Sequence, residues 1–396
     1  MSPFGLENLP YGAFSIGTES PRIGVAFGDS VLDLAALERA GLVAEGGVFE
    51  APVINPFLAR GPDAWARVRH RLTELLSGGG GESALVPLSE ATLHLPFEVA
   101  DYVDFYSSLE HATNLGRLFR PGGDPLLPNW RHLPVGYHGR AGTVVVGGTP
   151  VVRPSGQSKP ADADEPRFGP SRRLDIELEL GFVVGVPSRL GEPVPADRVA
   201  EHVFGVVLVN DWSARDIQAW EYQPLGPFLG KSFATSISPW VVPLAALEPF
   251  RIPGPAQEPA VLPYLQRSEP AALDLALEVG IRSRAMAERG DPPDVVSRTN
   301  ARDLYWTIDQ QVAHATVNGA SLRTGDLLAS GTISGSEPDS RGSLIELTWN
   351  GSEPLTLSDG STRTFLQDGD EVVLRGLAGT VSLGEVWGRI EPAVRP

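Results

Sequence analysis

The chain has no cysteine. Disulfides, zinc–thiolate sites and thiol nucleophiles are excluded, and any bound metal must be held by oxygen and nitrogen ligands. Positive charge is scarce: 32 Lys and Arg stand against 49 Asp and Glu, for a net charge of −17. Such a chain lacks the basic stripes of a nucleic-acid surface and the polybasic patch of a membrane contact. An anionic substrate would need a local cationic pocket. No uninterrupted apolar run approaches the ~18 residues of a membrane span. Met1 to Gly5 shows neither a basic n-region nor an apolar h-region, so a cytoplasmic location is the default expectation.

What is present is an ordinary globular composition, 42% hydrophobic and 20% charged. Its 44 Gly and 36 Pro point to many turns and short strands. A length of 396 residues makes two domains the expectation. Their boundary falls near residue 96, where Pro87 and Pro96 break short apolar pieces. Domain one is then 1–96 and domain two 97–396.

The most informative stretch is Leu174 to Val184, whose first half alternates acidic with apolar residues. Period two is the signature of a strand, with Glu177 and Glu179 on one face and Ile176, Leu178 and Leu180 on the other. Two adjacent carboxylates repel each other, so the face is either a cation site or a solvated edge.

Around it, Arg22–Phe27 and Val31–Leu34 read as strands joined by a tight turn, and Asp63–Leu76 as a helix with an apolar stripe. The glycine run 78–81 has no following Lys and reads as a connector. Asp101 to Arg120 is dense in functional residue types: Asp104, Tyr106, Ser107, His111, Asn114, Arg117 and Arg120. A Pro-rich loop is expected over 154–170, and Val203–Asn210 reads as a strand buried on both faces. A helix is expected to start near Asp211. It would set Asp211, Arg215, Gln218 and Tyr222 on one face, either as a binding surface or as a solvated face with an ion pair. Gly226 to Ser232 is one residue short of a phosphate loop and crowded by Phe228 and Leu229, so nucleotide binding is rejected. Lys231 within it reads as a partly buried cation able to stabilise negative charge. A loop over 250–270, a helix over Asn300–Thr316, and strands at 143–146, 273–279, 327–330, 343–349 and 371–375 complete an α+β, β-rich architecture.

Long motifs then carry a resemblance. Asp101 to Asn114, Leu127 to Trp130, Leu133-Pro-Val-Gly-Tyr-His-Gly-Arg140, Val209-Asn-Asp-Trp-Ser-Ala-Arg-Asp-Ile217, Pro224 to Phe233, Asp326 to Gly335 and Asn8-Leu-Pro-Tyr-Gly12 together resemble the fumarylacetoacetate hydrolase family over nearly the whole chain. The resemblance implies a small N-terminal SH3-like barrel domain and a larger C-terminal mixed β-sandwich roll, assembled as a homodimer. It implies metal-dependent hydrolysis of the carbon–carbon bond of a β-diketo acid, 4-fumarylacetoacetate, to fumarate and acetoacetate. The implied ligands of a divalent cation, Mg²⁺ or Ca²⁺, are Asp104, Glu177, Glu179 and Asp211, with Lys231 and Thr235 beside them. His111 is the implied base, oriented by Glu346; Arg215, Gln218 and Lys231 stabilise charge. Tyr106, Arg120, Tyr137, Gln218, Tyr222 and Thr332 are the implied substrate contacts. Residues 154–172 and 376–384 depart from the family pattern, outside this site. The alternatives are an acylpyruvate hydrolase, or a decarboxylase or hydratase of the same superfamily, and a non-catalytic metal-stabilised binding protein.

Overall fold

The computed structural model describes residues 4–160, 162–269 and 271–394. It is a mixed α+β, strand-rich structure with a β domain at its N-terminus. There five antiparallel strands lie in the order Leu85–Pro87, Ser30–Asp33, Arg22–Phe27, Tyr11–Ile16, Ala91–His94. Gly28, at φ 60°, makes the tight turn between Arg22–Phe27 and Ser30–Asp33. Helix Pro62–Ser77 lays Val68, Leu72 and Leu75 into the core.

The rest of the chain supplies an eight-stranded mixed sheet. Its main path runs Gly136–His138, Tyr102–Phe105, Leu327–Ala329, Leu178–Val184, Val203–Asp211, Thr235–Ile237, Val144–Val146. A second sheet of five strands is built on Ala276–Arg282, Glu371–Ala378 and Val381–Glu391. Between the two sheets pack Leu178, Leu180, Phe182, Val206 and Leu208 with Leu277, Val279, Leu374 and Val386. The opposite face of the main sheet, with Val183, Val207 and Val209, joins the core of the N-terminal domain at Tyr11, Phe57 and Phe204. Every residue of Val203–Asp211 is buried for that reason.

This double burial positions the site. Along three strands the apolar residues of the N-terminal-domain face share that face with an acid, two or four residues away. Tyr102 leads to Asp104, Val209 to Asp211, and Val183 through Gly181 to Glu179. The strand registers bring these ends of the sheet together.

Several expected boundaries differ. The strand expected over 174–184 is interrupted between Leu174–Asp175 and Leu178–Val184. There the Asn210 side chain accepts the Glu177 N–H (3.2 Å) and Asp175 accepts the Ile176 N–H (2.8 Å), replacing ladder bonds. The helix expected from Asp211 starts at Arg215 and ends at Glu221, because Asp211 is held as the last strand residue opposite Thr235. Ser343–Trp349 is a helical turn, Leu344–Leu347, rather than a strand. Positive φ at Trp349, Asn350 and Gly351 closes it. The segment 154–170 contains a hairpin, Ser155–Ser158 with Arg167–Pro170. The helix expected from Asn300 begins at Ile308, capped by Thr307 and Gln310, while Asn300 ends a strand and caps a single 3₁₀ turn. Val381–Glu391, eleven residues long, went unread.

Candidate active site

A cavity of about 550 Å³ opens where these strand ends meet helices Leu109–Phe119 and Arg215–Glu221. Of the residues singled out in the sequence, Asp104, Tyr106, His111, Arg120, Tyr137, Glu177, Arg215, Gln218, Tyr222, Lys231 and Thr332 line it. Glu179, Asp211, Thr235 and Glu346 stand behind that wall, buried.

On one side lies His111. Ser108 caps its helix by accepting the His111 N–H (3.3 Å), which fixes the first turn. His111 and Asn114, three residues apart, both face Glu346. The Nδ1–Oε2 distance is 2.6 Å, and Asn114 Nδ2 donates to Oε1 at 3.0 Å. The hydroxyls of Ser343 (2.6 Å) and Ser334 (3.0 Å) also donate to Oε2. Burial pushes the Glu346 carboxyl up, but His111 and these donors outweigh it and hold it below the usual carboxylate range. An ionised carboxylate can only accept, so Nδ1 carries a proton, and in the neutral imidazole Nε2 is then the acceptor. Tyr106 packs edge-on to the imidazole, with centroids 5.3 Å apart.

Opposite, Lys231 Nζ bridges Glu177 Oε2 and Asp211 Oδ2, each at 2.6 Å. Burial works against the ammonium, yet Asp211, Glu177 and Asp104 hold its pKa above the ordinary lysine value. Lys231 is therefore a charged donor rather than a base. Arg215 Nη1 takes Glu177 Oε1 at 2.7 Å and donates to Gln218 Oε1 at 3.2 Å. Burial raises the Glu177 carboxyl, but Lys231 and Arg215 more than reverse this and hold it far below its usual range.

Asp104, Glu179 and Asp211 form the one group of three or more acids, among the described residues, whose oxygens lie within 4.8 Å of one another. Burial and mutual repulsion push Asp104 and Glu179 well above the ordinary range; burial also raises Asp211, against the pull of Lys231. Tyr137 is the cross-strand partner of Asp104, and Thr235 Oγ1 donates to Asp211 Oδ1 at 3.3 Å. Glu179 Oε2 accepts the Gly331 N–H (3.1 Å), while its Oε1 has no hydrogen-bond partner among the described residues. Three desolvated carboxylates with an open oxygen and no thiol or imidazole suit a hard divalent cation. Glu177 is nearby, but both its oxygens are engaged by Lys231 and Arg215.

Three further groups on the cavity lining carry polar atoms without partners among the described residues: Arg120 Nε, Arg215 Nη2 and Thr332 Oγ1. Tyr222 sits at the mouth, 40% exposed. Sequence reasoning missed Tyr102, whose buried hydroxyl lies among Asp104, Asp211 and Glu179. Period two before Asp104 was its signal. It also missed Ser334 and Ser343, whose roles depend on contacts distant in sequence or on an unexpected helical turn.

Comparison with known proteins decides the family. The family model described as fumarylacetoacetate hydrolase C-terminal matches residues 102–391, and that described as fumarylacetoacetase N-terminal matches residues 7–96. The chain belongs to the fumarylacetoacetate hydrolase family. It is 49% identical over 413 residues to the fumarylacetoacetase of Rattus norvegicus, covering 100% of this chain and 98% of the relative. The fumarylacetoacetase of Arabidopsis thaliana is 47% identical over 411 residues, with 99% and 96% covered. Among solved structures, the fumarylacetoacetate hydrolase of psychrophilic Exiguobacterium antarcticum shares the fold, with a TM-score of 0.57, 16% identity, and 97% of this chain and 99% of that one covered. So does the maleylpyruvate hydrolase of Sphingobium in complex with manganese(II) ion and pyruvate, with a TM-score of 0.53, 17% identity and 98% and 100% covered. This fumarylacetoacetate hydrolase family member is an enzyme of the hydrolase type, and no helix among its described residues is long and apolar enough to cross a membrane.

Proposed function

We propose that this enzyme hydrolyses 4-fumarylacetoacetate to fumarate and acetoacetate, the closing step of tyrosine and phenylalanine degradation. The observation that supports it most is the pairing of His111 with Glu346 at 2.6 Å across a cavity from the cations Arg215 and Lys231. His111 Nε2 takes a proton from water as the water oxygen adds to the carbonyl carbon at the scissile bond. Glu346 fixes the tautomer and stabilises the imidazolium. The oxyanion is met by the free Nη2 of Arg215 and by Gln218, and one such donor is typically worth about 3–4 kcal/mol. When the carbon–carbon bond breaks, its electron pair stays on the carbon between the two carbonyls, delocalised as an enolate. The imidazolium returns its proton there, giving acetoacetate and the carboxylic acid that ionises to fumarate. Lys231 faces the developing enolate charge. Arg120, Tyr106, Tyr137, Tyr222 and Thr332 are assigned to the substrate's carboxylates and carbonyls.

A divalent cation would be held by Asp104, Glu177, Glu179 and Asp211, with Lys231 and Thr235 beside them. It would supply Lewis-acid charge to a 1,3-dicarbonyl substrate. Mg²⁺ or Ca²⁺ is our reading of its identity, a cytoplasmic homodimer that of the assembly, and 1–96 and 97–396 that of the domains. The test is spectrophotometric hydrolysis of 4-fumarylacetoacetate and of acylpyruvates, with and without chelator. The expected result is cation-dependent turnover that prefers fumarylacetoacetate. Preference for acylpyruvates, or full activity after complete chelation, would overturn it.

A further inference from the structure

Asp175 enters no step above, yet it is fully buried beside two parts of the machinery. Its Oδ1 accepts the backbone N–H of Leu344 (2.7 Å) and of Ile176 (2.8 Å). Its Oδ2 accepts Arg215 Nε (2.7 Å) and the backbone N–H of Ile345 (3.0 Å). Leu344 and Ile345 open the helical turn that carries Glu346. No other described side chain hydrogen-bonds both Arg215 and that turn.

We propose that Asp175 is a positioning residue that holds Arg215 in register with the His111–Glu346 pair. The proposal rests on the reaction given above. Its backbone adds a second constraint, because Asp175 pairs with Ser213, two residues before Arg215, and the Arg215 N–H donates to Arg173 O at 2.9 Å. A carboxylate is required because four N–H donors converge on it. An amide has one acceptor oxygen, and either orientation sets its NH₂ against an N–H. Replacing it would free the Arg215 head and the start of the Glu346 turn to move independently. A shift of about 1 Å between oriented groups costs about 10²-fold in rate.

The test measures kcat and KM for 4-fumarylacetoacetate with Mg²⁺ present, together with the melting temperature, for Asp175→Asn, for Arg215→Lys, for the double variant and for His111→Ala. Asp175→Asn is expected to lower kcat about 10²-fold with KM within about threefold. In the Arg215→Lys background the same change should cost less than about tenfold, because the group it positions is already displaced. An unchanged kcat, a loss confined to KM, or an equal loss in both backgrounds overturns the proposal. If the Asn variant does not fold, Asp175→Glu takes its place under the same criteria, since it keeps the charge and shifts it by one methylene. Wild-type turnover in His111→Ala would defeat the underlying reaction instead. Loss in His111→Ala with full activity in Asp175→Asn defeats the positioning role alone.

Discussion

Glu346 and Glu179 are both fully buried, and their environments oppose each other. Glu346 receives four donors, from His111, Ser343, Ser334 and Asn114, and its carboxyl lies below the ordinary range. Glu179 receives one, from Gly331, faces Asp104 and Asp211, and is pushed well above it. Burial raises both, so partners rather than depth decide the sign. The His111 side of the cavity is electrostatically complete within the protein. The trio side is a set of acceptors in need of positive charge.

The completed side should yield the largest loss. His111→Ala is expected to lower kcat about 10²–10⁴-fold, the range of general-base catalysis. Mn²⁺ binding, followed by calorimetry or electron paramagnetic resonance, should persist, since His111 makes no hydrogen bond to Asp104, Glu179 or Asp211. Loss of both together would break the division between the two sides.

That division was only partly legible in the sequence. Period two placed Glu179, Leu178 and Leu180 correctly, because a buried strand enforces alternation. The apolar run before Asn210 announced a strand with both faces covered. The pattern could not show that Asn210 breaks the ladder at Glu177, since one side chain competes there with a backbone bond. Ser343–Trp349 carries β-prone residues, and only the Asp175 carboxylate, 169 positions away, reveals its helical turn. Motif resemblance named residues that line the cavity or stand buried behind its wall. The difference between paired Glu177 and open Glu179 needed three-dimensional partners.

The second effect tests the open side through stability. A cation at about 100 times its dissociation constant should stabilise the enzyme by about 2.7 kcal/mol, read as a rise in melting temperature. Glu179→Gln should abolish that rise. In chelator it should melt at or above wild type, because it removes a repelling charge. Glu346→Gln should behave oppositely, losing about 1–3 kcal/mol with or without cation, because its donors lose an ionised acceptor. Equal behaviour of the two variants in chelator would erase the contrast.

The smallest effect asks whether a missing partner alone, outside the site, produces the same sign. Asp326 is buried on the wall of a second cavity, and its Oδ1 has no hydrogen-bond partner among the described residues. Burial pushes its carboxyl from the ordinary 3.8 up to about 6, against the Arg323 N–H and the Arg323 charge. With a folded value above the unfolded one, the unfolded chain releases this proton first as pH rises. Stability from this group therefore falls across pH 3.8 to about 6 and is level above. Glu346 has the reverse sign: its contribution is present above 4.5 and is lost only as pH falls through its lower folded value. Asp326→Asn should thus melt slightly above wild type at pH 7 and converge with it near pH 4, the gap being small because solvent in the cavity screens the charge. Melting curves of the two proteins across that range decide it. A variant less stable than wild type at pH 7 would mean that Asp326 is held by its partners, as Glu346 is, and that a missing bond to one oxygen does not set the sign.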